Sequence, residues 1–169
     1  MKKLIGFFSL LIILISTGCV KNTAAVNTDS KVEFDAATWN ANSVGVTYPI
    51  FTAVPIYNAA GTTPTVINRT LATFQIRVNL LGAQMTTATT FNYRIVPTET
   101  TAIAGTHYTA LSGTGTIPAN SSFGFINIPL LNPGVSSTTP VILVLELQGN
   151  SVVAPNVNYA KVGFSISQL

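Results

Sequence analysis

Charged side chains are scarce in this chain, since Lys, Arg, Asp and Glu make up 8% of its 169 residues, against ~25% in an average soluble domain. The single cysteine excludes an internal disulfide, and the single histidine excludes a metal site with several histidine ligands. The formal charge of +3 falls to +1 when Lys2 and Lys3 are left out (3 − 2 = 1), because we expect both to be removed with a leader. No basic run is present, so nucleic-acid binding is not predicted.

Apolar residues are plentiful at 47%, and most of the remainder is Thr, Asn, Ser and Gly. The length fits one domain plus a short extra segment, with enough apolar material for a sizeable core. Beyond the leader, no segment keeps a helical period over ten residues. This profile favours an extracytoplasmic β-protein.

The N-terminus has the three parts of a signal peptide. Residues 1–3 form a short positively charged region, residues 4–15 form an apolar region of twelve residues, and residues 16–18 are small. An apolar stretch this short cannot span a bilayer as a helix, which needs ~20 residues. We therefore predict a signal peptide over residues 1–18.

Residues 15–19, ISTGC, resemble the lipobox of a bacterial lipoprotein. Thr17 and Gly18 fit the pattern, whereas Ser16 stands where Leu is usual; looser forms of this kind are common in the Bacteroidetes lineage. The resemblance implies that Cys19 becomes the lipidated mature N-terminus, anchored by its acyl chains. The alternative is that Cys19 is a buried thiol that happens to follow the leader.

The residues after Cys19 predict where the anchored protein resides. Residues 20–30 have no apolar periodicity, so residues 19–30 are expected to be a flexible tether ahead of a domain over residues 31–169. Val20 stands where Asp would retain an enteric lipoprotein in the inner membrane, which indicates the outer membrane. Acidic residues typical of surface export are lacking, with Lys21 and only a distant Asp29, so the periplasmic face is favoured over the cell surface.

Alternating apolar and polar residues predict a series of short strands separated by turn-forming loops. Such spacing indicates an antiparallel β-sandwich of about seven to nine strands. The expected strands are residues 31–35, 43–48, 50–57 (interrupted by Pro55), 71–81, 91–95, 112–117, 123–128, 141–147 and 160–166.

Three consecutive motifs resemble a Calx-beta repeat: TAIAGTHY at residues 101–108, SGTGTI at residues 112–117, and the strand at residues 123–130. The resemblance extends over about residues 71–167 and implies an immunoglobulin-like, Calx-beta-like sandwich. The chain is also similar to Calx-beta-like lipoproteins of unknown function in Bacteroidetes. The motifs are informative about the fold and say little about function.

Some Calx-beta domains bind Ca²⁺ through clustered acidic residues at the loop ends, so the resemblance makes Ca²⁺ binding a distant alternative. Ca²⁺ requires 6–8 oxygen ligands. Here His107 replaces the loop Asp, and residues 131–134 (LNPG) replace an acidic pair. Glu33 and Asp35 share one strand face and could form half of a site, but a solvated outer face is favoured. We therefore predict no bound metal and no cofactor.

Catalysis is not predicted either. A triad would have to combine His107 with Glu99 and a nearby serine such as Ser112, and no nucleophile elbow is present. We expect His107 to lie at a turn with Tyr108 packed inward. The Gly113–Gly115 run has no following helix, so its glycines indicate close packing or a bulge, not a phosphate loop.

Two functions of different class remain. The first is a lipid-anchored, non-enzymatic binding or adhesion module with a protein or glycan partner. Its possible ligand-contacting aromatics are Trp39, Tyr48 and Tyr57, although a core or rim position is favoured for Trp39. The second is a structural or accessory subunit of an outer-membrane or periplasmic complex. An exposed aromatic cluster would favour the first, and a free edge near residues 50–57 would favour the second.

Overall fold

The computed structural model describes residues 29–57 and 63–169; the predicted leader, Cys19 and most of the tether lie outside them. The described residues form nine strands and one short helix. These are β1 (Lys31–Phe34), α1 (Asp35–Trp39), β2 (Ile50–Phe51), β3 (Thr73–Leu81), β4 (Thr89–Ile95), β5 (Thr114–Ile117), β6 (Phe123–Pro129), β7 (Val141–Gln148), β8 (Ala154–Pro155) and β9 (Lys161–Ile166). In this part of the chain no helix is long and apolar enough to cross a membrane.

The strands form one continuous sheet in the order β2-β9-β7-β4-β5-β6-β3-β1-β8. The sheet curls so that its two halves face each other. Phe74 in β3 and Phe164 in β9 are far apart in the strand order, yet their ring centroids lie 5.0 Å apart. The long strands pair antiparallel, and the two-residue edge strands β2 and β8 pair parallel with β9 and β1. This confirms the predicted β-sandwich.

The long strands form where apolar residues alternate with polar ones. In β3, every second residue from Phe74 to Leu80 is buried, and the residues between them face outward. Buried side chains from both halves fill the space between them, so the alternation places one face of each strand in a common core. The largest fully buried side chains include Phe34, Phe91, Phe164, Ile76, Ile128, Leu143, Leu145 and Leu147.

The Gly-rich stretch permits close packing, as predicted. Gly115 in β5 lies opposite Phe91 in β4, and a Cβ at position 115 would occupy the place of the Phe91 ring. The absence of a side chain at Gly115 therefore gives Phe91 its place in the core, where it is fully buried.

Three strand predictions were wrong. Of the strand expected over residues 50–57, only Ile50–Phe51 forms as β2. Residues 43–48 form a turn, not a strand, because Ser43 accepts hydrogen bonds from the amides of Val46 and Ile50, and Gly45 has a φ of +83°. A positive φ suits glycine and breaks an extended run. The strand expected over residues 31–35 ends at Phe34, since Asp35 begins α1.

Candidate functional site

The outer face of β3 and β6 carries a cluster of aromatic side chains. Phe123 and Phe125 point outward from β6, because the inward positions of that strand belong to Gly124, Ile126 and Ile128. Their ring centroids lie 5.6 Å apart, and the Tyr57 ring lies 6.4 Å from Phe125. We call Tyr57, Phe123 and Phe125 the aromatic platform. Phe123 and Phe125 are each 40% exposed, which is unusual for large apolar side chains placed together.

Arg77 lies among the rings of the aromatic platform. It is directly opposite Phe125 in the register of β3 and β6. Its guanidinium carbon is 4.8 Å from the centroid of the Tyr57 ring and 5.2 Å from that of Phe123. A cation at this distance is attracted to the electron-rich ring faces. Arg77 thus ties the rings to the sheet surface.

Asp35 holds Arg77 in this position. Its Oδ1 accepts hydrogen bonds from Arg77 Nη2 at 2.6 Å and from Asn79 Nδ2 at 2.7 Å, and its Oδ2 accepts one from Trp39 Nε1 at 3.2 Å. Burial acts to raise the pKa of Asp35, but these hydrogen bonds and the charge of Arg77 outweigh burial and hold that pKa below its usual value. Asp35 is therefore a charged anchor for three side chains.

The prediction that Glu33 and Asp35 lie on a solvated outer face was wrong, since each is 6% exposed. Glu33 accepts a hydrogen bond from Asn156 Nδ2 at 2.7 Å, and Asp35 has the partners described above. Buried carboxylates require such partners. Both carboxylates are thus committed to hydrogen bonds within the chain.

Tyr57 is positioned by an interruption of the sheet. Because β1 ends at Phe34, opposite Val78, it does not reach Arg77. The Tyr57 hydroxyl accepts the hydrogen bond of the Arg77 amide instead, at 3.0 Å. Burial raises the pKa of Tyr57 to about 12, so it is neutral at physiological pH.

Trp39 lies next to the platform at the end of α1. It is 54% exposed, so it is not a core residue. Its indole is oriented by the hydrogen bond to Asp35. On its other side it lines a groove of about 410 Å³, together with residues 50–56 and Pro64.

Tyr48 does not share this surface. It is 4% exposed and packs in a separate buried cluster with Val96 and Val144. Lys161 Nζ lies 4.8 Å from the centroid of its ring. Of the three aromatics singled out in the sequence, the structure brings Trp39 and Tyr57 together around Asp35 and Arg77.

The three residues considered as a catalytic triad each interact with another group. His107 lies in a turn, where its Nδ1 accepts a hydrogen bond from the amide of Ile103 at 2.9 Å, so this nitrogen does not donate to a carboxylate. Glu99 pairs with Lys161 at 2.6 Å. The hydroxyl of Ser112 donates to the carbonyl of Thr114. Among the residues that the structure describes, no group of three His, Cys, Asp or Glu could hold a metal ion.

Sequence reasoning missed Phe123, Phe125 and Arg77. A signal for the phenylalanines was present. Phe123 and Phe125 alternate with Gly124 and Ile126, so strand periodicity places them on the face opposite Ile126 and Ile128. No comparable signal marked Arg77, because its partner Asp35 is 42 residues away in the chain.

Comparison with known proteins identifies a family. Residues 64–162 match the domain of unknown function DUF4843. The chain belongs to this family. No curated protein matches this DUF4843 chain. The matched range contains β3 to β8, and with them Arg77, Phe123 and Phe125.

Solved structures confirm the fold of the DUF4843 chain. The apo form of the Calx CBD1 domain aligns with a TM-score of 0.54 at 15% identity, over 82% of this chain and 96% of that domain. A proposed carbohydrate-binding protein from Bacteroides ovatus aligns with a TM-score of 0.51 at 12% identity, over 82% of this chain and 37% of that protein. The predicted Calx-beta-like, immunoglobulin-like sandwich is thereby confirmed, and neither neighbour is described as an enzyme.

Proposed function

We propose that this DUF4843 protein is a non-enzymatic, lipid-anchored binding module of the cell envelope that holds a glycan on its aromatic platform. The observation that carries the proposal is the outward-facing pair Phe123 and Phe125, 40% exposed and fixed around the Arg77–Asp35 ion pair. Exposed apolar patches rimmed by polar groups mark interaction sites. The likeness to the Bacteroides ovatus protein supports the proposal by showing that this fold occurs in a proposed carbohydrate-binding protein.

The chemistry of the platform suits a sugar ring. Aromatic faces offer a large apolar surface at little conformational cost, and the C–H face of a pyranose is the apolar part of a sugar. Specificity in such sites comes from a few well-placed polar groups around the apolar surface. The side chains of Arg77 and Asn79 are already oriented by Asp35, so little ordering would be needed on binding.

A glycan microarray probed with the full-length chain tests this function. We expect binding to a subset of glycans, and at least a tenfold loss in the Phe123→Ala/Phe125→Ala variant. Ile103→Ala is the matched control, because Ile103 is 59% exposed and lies outside β6. Equal binding by the double variant and the wild type would contradict the assignment to the platform.

Anchoring by Cys19 is part of the proposal. Protease shaving of intact cells would show which side of the outer membrane the domain faces; the tether composition favours the periplasmic face, so we expect protection until the membrane is opened. Cys19→Ala should release the protein from membranes. A membrane-bound Cys19→Ala protein would contradict lipid anchoring.

The second candidate function, an accessory subunit of an envelope complex, is favoured by the apolar groove beside Trp39. The free edge expected at residues 50–57 is partly paired within the chain, since the Val54 amide donates to the Thr65 carbonyl at 2.8 Å and β2 pairs with β9. Crosslinking in cells would detect a stable partner. A partner lost in Val54→Arg but kept in Phe123→Ala/Phe125→Ala would support this function over glycan binding.

A further inference from the structure

We infer that the ligand of the aromatic platform is an uncharged oligosaccharide that lies along β6. Its apolar sugar faces pack against Phe123 and Phe125, whose rings are inclined at 77° to each other, and amide and hydroxyl side chains further along the strand form hydrogen bonds to it. This inference rests on the proposed glycan-binding function and specifies the class of glycan. Three observations carry it: the charge of this sheet face, the side chains next to the platform, and the length of the surface.

The charges on this face cancel. Lys31 and Arg77 lie on the outward side of β1 and β3, and the two carboxylates beside them belong to the buried residues Glu33 and Asp35. Arg77 is already paired with Asp35, so it is not an unmatched cation for a carboxylate or sulfate of an acidic glycan. Glu33 is bound by Asn156 and is 6% exposed, so it is not a free anion for an amino sugar. At the rings themselves, an ionic ligand would therefore lose hydration without gaining an unpaired counter-charge. Lys31 lies opposite Leu81, beyond the Asn79–Phe123 pair at the end of the β3–β6 ladder.

Uncharged polar side chains continue the surface beyond the rings. Gln75 lies directly opposite Asn127 on the next strand, and Thr116 of β5 lies opposite Phe125. We call Gln75, Thr116 and Asn127 the polar strip; all three are exposed. The amide of Asn127 is oriented by a hydrogen bond that its Oδ1 accepts from Thr73 at 2.8 Å. Amides and hydroxyls both donate and accept hydrogen bonds, as sugar hydroxyls do.

The length of this surface favours an oligosaccharide over a monosaccharide. Phe123, Phe125 and Asn127 are successive outward residues of β6. At ~3.3 Å per residue, the first and the last are ~13 Å apart. Stacking at one end and hydrogen bonding at the other can be used together only by a ligand that extends over several sugar units.

Affinity gel electrophoresis of the full-length chain tests the inference. The probes are neutral galactomannan, xyloglucan and laminarin, anionic polygalacturonate and heparin, and cationic chitosan. We expect retardation by at least one neutral polysaccharide that persists in about 1 M salt, where the Debye length is ~3 Å. Gln75→Ala/Asn127→Ala should weaken this binding roughly tenfold, as expected for two lost hydrogen bonds. Val157→Ala, at an exposed position in the loop between β8 and β9, is the control and should bind like the wild type.

The outcomes separate the two proposals. Retardation by polygalacturonate, heparin or chitosan alone, abolished by salt, would overturn the neutral-ligand inference and leave glycan binding standing. Neutral binding lost in Phe123→Ala/Phe125→Ala but unchanged in Gln75→Ala/Asn127→Ala would overturn the role of the polar strip. Retardation by none of the six probes, together with an empty microarray, would count against glycan binding itself.

Discussion

The two halves of the curled sheet each carry an arginine–carboxylate pair on their outer face, and the two pairs differ in environment. Arg77 and Asp35 have side chains that are 24% and 9% exposed, whereas Arg94 and Glu146 are 58% and 27% exposed. Arg77 is also in contact with two aromatic rings, and Asp35 with two further donors. Arg94 and Glu146 are a direct cross-strand pair of β4 and β7.

The difference shows what enclosure does to an ion pair. In the exposed pair, water and salt can replace either partner at little cost. In the enclosed pair, removal of one partner leaves the other desolvated and uncompensated. Asp35 therefore organises the platform side of the molecule, while Glu146 adds a minor link.

Asp35→Ala is expected to be the most damaging of these substitutions. It removes the acceptor of Arg77, Asn79 and Trp39 together, and should lower the free energy of unfolding by about 3 kcal/mol. Glu146→Ala is the matched control and should cost less than about 1 kcal/mol. Urea unfolding monitored by circular dichroism measures both values. Similar losses in the two variants would remove the distinction between the pairs.

Alanine substitutions at two glycines, Gly124 and Gly163, compare the two halves of the sheet without changing any charge. A Cβ at position 124 in β6 would run into the backbone carbonyl of Thr116, whereas a Cβ at position 163 in β9 would meet the side chain of Ile50. Backbone cannot yield as a side chain can, so we expect Gly124→Ala to cost about 2 kcal/mol and Gly163→Ala about 1 kcal/mol. Thermal unfolding of both variants tests this order. A reversed order would mean that β5 and β6 separate more easily than the register indicates.

The pH dependence of stability should also reflect Asp35. Its folded-state pKa lies below the 3.8 of the unfolded chain, so its charge stabilises the fold above about pH 4 and this contribution is lost as the pH falls through the folded-state pKa. The effect is smaller than that of Asp35→Ala, because a protonated carboxyl still forms hydrogen bonds. Unfolding in urea at several values between about pH 2 and pH 7 measures it.

Asp35→Asn is the variant that isolates this contribution, and it should flatten the acid limb of the stability curve. Glu99→Gln is a parallel variant for a second carboxylate, since the hydrogen bond from Lys161 also lowers the pKa of Glu99. Each variant should remove part of the loss of folding stability that occurs at low pH. An acid limb unchanged in Asp35→Asn would mean that Asp35 has an ordinary pKa in the folded protein.

The sequence predicted the sandwich and most of its long strands, because period-2 alternation in stretches such as residues 73–80 is a local property. It did not predict the turn at residues 43–48, where the hydrogen bonds of Ser43 and the positive φ of Gly45 override alternation. Asp35 was misplaced because burial of a carboxylate depends on partners such as Arg77 and Asn79, which only the fold brings near it. Of the aromatics singled out in the sequence, Trp39 and Tyr57 lie at the candidate site, and their contact with a ligand stays a prediction.

Arg94→Ala should give the smallest effect of the series. The hydrogen bond from Arg94 Nε to Glu146 is 2.7 Å long and that from Arg77 Nη2 to Asp35 is 2.6 Å long, so length alone does not separate the two pairs. An exposed pair contributes ~0.2–1 kcal/mol, and salt screens most of it. We therefore expect a loss below about 1 kcal/mol in low salt and almost none in about 1 M salt. Arg77→Ala should lower the free energy of unfolding by more, and most of that decrease should persist at high salt, because its partner Asp35 is shielded from solvent. If the Arg94→Ala loss matched that of Arg77→Ala and persisted in salt, enclosure by the aromatic platform would not be the cause of the difference between the two halves.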